Sequence, residues 1–345
     1  MHLSQHELDL ISWCALSEPG DALTNLIWNA FGPEALESIK KQDFETWRNF
    51  ISESFPEYLS ELRSMEERVC LRLPRANAYQ LVERGIRWNA RPVAVASLPS
   101  VEGRLSDLGE HAPLLIWVAG DQVALEQDFA GIVGTRKPSV KGASNARRLV
   151  ASLRMPIVSG GAIGIDRAAH EAALEFGLPT VAIMAGGLDK AYPMENWEMF
   201  HQIVRSGGVL MSEMPPGAVP SRFRFLQRNR LIAAMCKELF VVEAALRSGS
   251  RNTANHARAL GREVYALAGS WASEQSQGCN TMIKEGVAKQ YVLDDPIQIE
   301  PSWTEKRVQD ALRAGAKTPS EIAIESGVGL KQVKSIVLLG GKTCN

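Results

Sequence analysis

MPIVSGGAIGIDRAAHEAAL, Met155–Leu174, changes its period midway. A short apolar run, Ile157-Val158, gives way to glycines at 160, 161 and 164, and from Ile165 onward the residues read as a helix. Strand, glycine turn and helix in that order are the opening of a βαβ unit. Glycine permits φ > 0 and close approach to the backbone, so the stretch also asks what comes so near.

The same alternation repeats on both sides of it. LLIWVAGD, FAGIVGTR, PTVAIMAGG, GVLMSEM, ELFVVEAA and EVYALAGS are β-like runs, separated by helix-like segments such as SVKGASNARRLVASL, ENWEMFHQIVRSG and NTANHARALG. Apolar, β-branched strands that repeatedly give way to helices imply a mostly parallel sheet covered on both faces. The expected fold class is α/β, a doubly wound Rossmann-like domain. In such sheets ligands bind beyond the carboxyl ends of the strands. Those ends carry Gly134-Thr135-Arg136, Ser159-Gly160-Gly161, Gly186-Gly187 and Ser248-Gly249-Ser250. Each following helix offers unpaired N–H groups and the positive end of its dipole, which suits a phosphate. One helix terminus contributes only about 0.3 to 1 kcal/mol toward an anion, so several loops and arginines would have to act together.

A chain of 345 residues with net charge -1 is not a uniformly basic nucleic-acid protein. The charge is nevertheless uneven. Met1–Cys70 holds 13 acidic and 5 basic residues, whereas Arg222–Arg262 holds 9 basic and 2 acidic, so a polyanion site belongs to the later region. There is no 18-residue apolar run and no signal-like N-terminus, which makes the cytoplasm the expected location. The five cysteines are scattered without a C-x-x-C pair and read as reduced thiols, with no structural zinc. The histidines lack metal spacing; His170 and His256 read as packed helix residues.

GIVGTRKPS is the most specific loop. It sets a hydroxyl at Thr135, a guanidinium at Arg136 and an ammonium at Lys137 before Pro138-Ser139, a helix start. It is neither G-x-G-x-x-G nor a Walker loop, which argues against a dinucleotide enzyme or an ATPase. Donors without a metal ligand point to binding.

GIVGTRKPS, SGGAIGIDRAAHEAAL, AGGLDKAYPMEN, SEMPPG with FLQRNRLIAAM, VVEAALRSGSRNTANHA and QGCNTMIKEG, in that order over about residues 114 to 290, resemble the DNA-processing protein A (DprA/Smf) family. The resemblance implies a cytoplasmic homodimer that binds and protects incoming single-stranded DNA in natural transformation and helps load RecA onto it, with no catalytic residues, no metal and no cofactor. On that likeness Arg136 is the principal phosphate ligand, Gly134, Thr135, Ser139, Ser159 and Gly160 line its pocket, and Lys137, Arg228, Asn229 and Arg230 extend it. Phe223 and Phe225 alternate with Arg222 and Arg224, a pattern suited to stacking bases and equally to anchoring the helix that follows. Arg247 and Arg251 add basic contacts. Where many members carry Arg in the second glycine loop, this chain has Ile163, which shifts weight to the patch around Arg222–Arg230.

Other residues carry a structural and a functional reading together. Asp166 suits either the start of a helix or chemistry; Glu213 and Glu243 either order arginines or sit in solvent. The competing function is a nucleotide sensor or a phosphoribohydrolase-like enzyme on a related fold, yet Arg247–Arg262 contains no acid to serve it; Asp166 or Asp189 would need another geometry. Three domains are expected: a helical, SAM-like segment 1–72, a Rossmann-like domain 73–298, and a helical, winged-helix-like domain 299–345. In the last, LKQVKSIVLL reads as a recognition helix and GGKTCN as too short for a wing.

Overall fold

The computed structural model describes residues 3–190, 192–293 and 303–340. They form two compact units, divided after Val292. The expected boundary at 298/299, the segment GGKTCN beyond Gly340 and Cys344 lie outside the described residues.

Among the described residues nine strands build one sheet: β1 Ala90–Ala94, β2 Leu115–Gly120, β3 Phe129–Val133, β4 Ile157–Ser159, β5 Thr180–Met184, β6 Val209–Ser212, β7 Cys236–Val241, β8 Glu263–Leu267 and β9 Lys289–Tyr291. Their spatial order is β1-β2-β6-β5-β4-β3-β7-β8-β9. From β6 to β9 every pair is parallel, while β1 and β2 add an antiparallel margin. The mostly parallel, doubly wound sheet expected from the alternation is therefore present. The chain moves outward from β3 through β4, β5 and β6, then returns to lay β7 on the other side of β3. A crevice opens beyond the strand ends where the winding reverses.

Helices α1 Gln5–Cys14, α2 Ala22–Phe31, α3 Glu34–Lys41, α4 Glu45–Ser54, α5 Leu59–Arg72 and α6 Ala78–Ile86 precede the sheet, and α7 Pro99–Leu105 follows β1. The crossovers are α8 Val140–Leu153, α9 Ile165–Glu175, α10 Trp197–Arg205, α11 Arg222–Met235, α12 Gly249–Ala259 and α13 Glu274–Lys284. Strands covered on both faces must be apolar throughout, and β3 and β5 are buried at every position. Pleating then deals successive side chains to opposite layers. In β2, Leu115, Trp117 and Ala119 join a core with Trp13, Ile27 and Trp47 of the N-terminal helices, whereas Ile116 and Val118 join a second core with Leu231 of α11 and Ala254 of α12. The N-terminal helices thus share a hydrophobic core with the sheet.

The C-terminal unit holds α14 Trp303–Arg313, α15 Pro319–Ser326 and α16 Leu330–Gly340, packed around Val308, Ala311, Ile322, Val328 and Val333. A capping box opens α15: Thr318 Oγ1 accepts from Glu321 N, and Glu321 Oε2 accepts from Thr318 N, both at 3.2 Å, satisfying two donors that a helix start leaves unpaired.

No helix among the described residues is long and apolar enough to cross a membrane, and no cluster of three His, Cys, Asp or Glu side chains among them could hold a metal. Cys14, Cys70, Cys236 and Cys279 are free thiols.

Candidate nucleic-acid interface

A cleft of about 580 Å³ lies at the reversal point, beyond the ends of β3, β4 and β7. Gly134, Thr135 and Arg136 form one wall, Ala162 and Asp166 the floor, and Arg247 with the α12 start at Ser248–Ser250 the opposite wall. Helix α11 closes it with Arg222, Phe225, Arg228 and Asn229.

The loop after β3 is tied to both neighbouring loops, which fixes the backbone that carries Arg136. Thr135 N donates to the Glu243 carbonyl at 2.7 Å, and Ile165 N of α9 donates to the Thr135 carbonyl at 3.2 Å. Glu243 also uses its carboxylate: Ser139 N donates to Oε2 at 2.8 Å and Ser139 Oγ to Oε1 at 2.5 Å. The Arg136 guanidinium then lies over the Phe225 ring, 5.0 Å from its centroid, with the Tyr192 ring 5.9 Å from Phe225 on another side. Cation–π contact of this kind contributes about 0.5 to 1 kcal/mol at exposed sites and holds the charge at the cleft mouth.

The arginines divide into two classes. Among the described residues Arg136, Arg222 and Arg247 line the cleft with no carboxylate partner. Arg224, Arg230 and Arg251 are instead paired with Glu18, Glu213 and Glu285. Arg228 stands between these classes. It lines the cleft, but it is 5% exposed, and its Nη1 is committed to the carbonyls of Gly160, at 2.6 Å, and Ile183. Burial lowers its pKa to about 10 against the opposing attraction of Asp166, so it stays charged at neutral pH. Asp166 is buried and accepts from Ala162 N at 3.4 Å; burial raises its carboxyl above the ordinary range despite Arg228.

The structure shows one reason for glycine in the second glycine loop, a close approach made by the chain itself. A Cβ at Gly160 would stand 2.5 Å from Arg228 Nη2 and 2.7 Å from Asp166 Oδ2. At Gly164, φ is +93° and a Cβ would collide with the Thr135 carbonyl. The protein's own side chain and neighbouring loop make the close approach.

Of the sequence-expected residues, the cleft gathers Gly134, Thr135, Arg136, Arg228, Asn229, Phe225, Arg222 and Arg247. Others are placed outside it, each for a definable reason. Ser139 caps α8, accepting from Gly142 N at 2.9 Å, with its hydroxyl spent on Glu243. Ser159 is fully buried, and its Oγ donates to the Ile132 carbonyl at 2.6 Å as a cross-strand tie. Gly160 is enclosed as described. Neither Lys137 nor Phe223, 49% exposed, lines the cleft. Arg224 and Arg230 face the N-terminal segment because a helix turns about 100° per residue and cannot show consecutive arginines to one side. Arg251 bonds Glu285 and the Leu246 carbonyl. Glu213 orders Arg230 and Glu243 orders Ser139, so neither is a solvated loop acid.

Thr253, Ser250 and Leu226 line the cleft without having been singled out as site residues. Helical spacing offered the signal: Thr253 lies one turn beyond Gly249, on the side that the cap Ser248 opens.

A family model described as DNA recombination-mediator protein A matches residues 97–299. A putative DNA processing protein DprA of Mycobacterium tuberculosis is 41% identical over 268 residues, 70% of this chain and 68% of its own length. The DNA processing protein DprA of Streptococcus pneumoniae is 39% identical over 184 residues, 52% of this chain and 65% of its own. The X-ray structure of DNA processing protein A from Streptococcus pneumoniae superposes with a TM-score of 0.64 at 29% identity, covering 84% of this chain and 95% of that one.

Proposed function

The chain belongs to the DNA recombination-mediator protein A family, and from that premise we propose that its cleft binds the backbone of single-stranded DNA. One observation carries the reading: Arg136, Arg222 and Arg247 line one cleft at the switch point of the sheet, and among the described residues none of them is in an ion pair with a carboxylate. Guanidinium is the side chain best matched to phosphate oxygens, and unpaired charges release counterions from a polyanion without first breaking an internal ion pair. Arg228, Gly134, Thr135 and Asn229 form the walls. Phe225, flanked by Arg136 and Tyr192, offers a ring for a base, a contact worth about 1 to 3 kcal/mol.

In this reading the protein binds and protects DNA rather than transforming it. A cytoplasmic homodimer that serves in recombination and transformation and helps load RecA completes the proposal, on the family likeness alone. Light scattering of the pure chain tests the dimer, and RecA assembly on coated DNA tests the loading.

Asp166 in the cleft floor supports a second reading, a nucleotide-binding or nucleotide-hydrolysing site. One titration separates the two: fluorescence anisotropy of labelled poly-dT over a salt series, with duplex DNA and mononucleotides as competitors. Single strands binding best and Arg136→Ala weakening them supports DNA; equal competition by mononucleotides overturns it in favour of the second.

A further inference from the structure

Helix α11 has two opposed faces. About 100° of rotation per residue gathers Arg222, Phe225, Leu226 and Asn229 on the cleft side and sends Arg224, Gln227 and Arg230 to the other. That second face meets the loop between α1 and α2. Arg224 donates through Nε and Nη2 to the two oxygens of Glu18, both at 3.0 Å, and Arg72 of α5 reaches the same carboxylate at 2.5 Å. Arg230 Nη2 lies 2.7 and 2.6 Å from the Glu213 oxygens, and Gly20 N donates to Glu213 at 3.1 Å. Gly20 fits closely, since a Cβ there would stand 2.8 Å from Arg230 Nε and 2.9 Å from Gln227 Oε1.

The two ends of α11 differ in how they are held. Arg228–Met235 is buried throughout. The first turn, Arg222–Phe225, is exposed or half-buried, and its cap is one hydroxyl, Ser221 Oγ accepting from Arg224 N at 3.2 Å. A helix start with few bonds frays. Glu18 grips that turn from behind, and two cleft residues stand on its front.

We propose that Glu18 is a positioning residue for the cleft: by holding Arg224 it keeps the first turn of α11 wound, and with it Arg222 and Phe225 in the place where a DNA strand meets them. This rests on the DNA reading above and gives the acidic N-terminal region a partner within its own chain. The binding-competent arrangement is then close to fully populated, and loosening the grip lowers apparent affinity by the fraction lost. Because no phosphate contact disappears, the loss is the same factor at every salt concentration. Simple removal of a negative charge acts oppositely, tightening binding and doing so chiefly at low salt, where screening is weak.

The test is anisotropy with labelled poly-dT over a salt series for Glu18→Ala, Arg224→Ala and the double variant, with amide exchange across the first turns of α11. The expected result for Glu18→Ala is binding about fivefold weaker at every salt concentration, within the range by which network residues modulate a site, with an unchanged slope. The Phe225 amide, bonded to the Ser221 carbonyl at 2.9 Å, exchanges faster, and the double variant binds no more weakly than Arg224→Ala. Glu18→Gln, which keeps one oxygen acceptor, recovers part of the affinity, and it carries the comparison if Glu18→Ala fails to fold. Unchanged or tighter binding by Glu18→Ala overturns the proposal, as does a second full loss in the Arg224→Ala background. Arg136→Ala in the same series keeps the failures apart: if it too has no effect, the DNA reading has fallen, while amide exchange still reports whether Glu18 holds the turn.

Discussion

Replacing Arg136 with alanine removes a charge that is in no ion pair among the described residues and whose internal use is a minor attraction to the buried Asp166 carboxyl, secondary to that of Arg228. Among the described residues its guanidinium has no carboxylate in ion-pair contact and rests 5.0 Å from the Phe225 centroid, and Asp166 keeps Arg228 as its nearer charge, so the variant leaves no orphaned acid behind. Folding should lose no more than the cation–π contact, about 0.5 to 1 kcal/mol. Binding should lose much more. A charge-assisted hydrogen bond contributes about 1.5 to 3 kcal/mol, and each 1.4 kcal/mol is about tenfold in Kd, so the single-strand Kd should rise roughly 10- to 100-fold at low salt. The slope of log K against log salt should flatten by about 0.7, the value for one phosphate on a single strand. Anisotropy of labelled poly-dT at several salt concentrations measures both quantities, and thermal unfolding measures the folding cost. Arg224→Ala is the matched control: it removes the same charge from the opposite face of α11 and should displace the salt line without tilting it. An Arg136→Ala line that coincides with wild type, or one merely parallel to it, would refute the phosphate assignment.

Removing all three unpaired guanidinium groups with Arg136→Ala, Arg222→Ala and Arg247→Ala should reduce the slope by about 2 while circular dichroism shows the fold intact. Arg230→Ala should behave in the reverse manner, because it strands the Glu213 carboxylate; urea unfolding should show a loss of about 3 to 5 kcal/mol, with the DNA slope unchanged. Gly160→Ala pushes a methyl group against Arg228 Nη2 at 2.5 Å and should cost about 1 to 3 kcal/mol by overpacking, again read in urea. His170 is buried beside Thr180 Oγ1 at 2.8 Å, and burial lowers its pKa to about 3 from 6.5. Below pH 6.5 the unfolded chain binds a proton that the folded chain refuses, so stability should fall with pH toward 3 by about 1.4 kcal/mol per unit. His170→Gln should show a shallower fall, and equal slopes would contradict the assignment.

The sheet was legible because β3 to β8 are largely apolar runs separated by helices, with glycines following β3, β4, β5 and β8, a pattern that comes from burial on both faces. The two outermost strands, β1 and β9, were not. Ala90–Ala94 contains Pro92 and Lys289–Tyr291 is three residues with two exposed, and an edge strand needs neither apolar continuity nor every ladder bond. The cleft was half legible: strand-end position located Arg136, and the rule that ligands lie at the switch point located its surroundings. What the sequence could not convey was which charges were already spent. Arg222, Arg224, Arg228 and Arg230 look alike in FLQRNR and the residues before it, and only helix rotation and the distant acids Glu18 and Glu213 separate an open guanidinium from a paired one. The glycines were only half legible for a related reason, since an absent side chain announces close approach but not the identity of the visitor.

Glu243 sits where the start of α8 would otherwise receive an anion, with its carboxylate already on Ser139 N and Oγ. The protein therefore supplies its own tenant for that berth. Incoming phosphates are turned away from the α8 end of the GIVGTRKPS loop and left with the arginine end, so one buried acid narrows where along that loop a strand can settle. Crystals soaked in sulfate should accordingly show the ion among Arg136, Arg222 and Arg247, with the Ser139 position closed to it at any concentration.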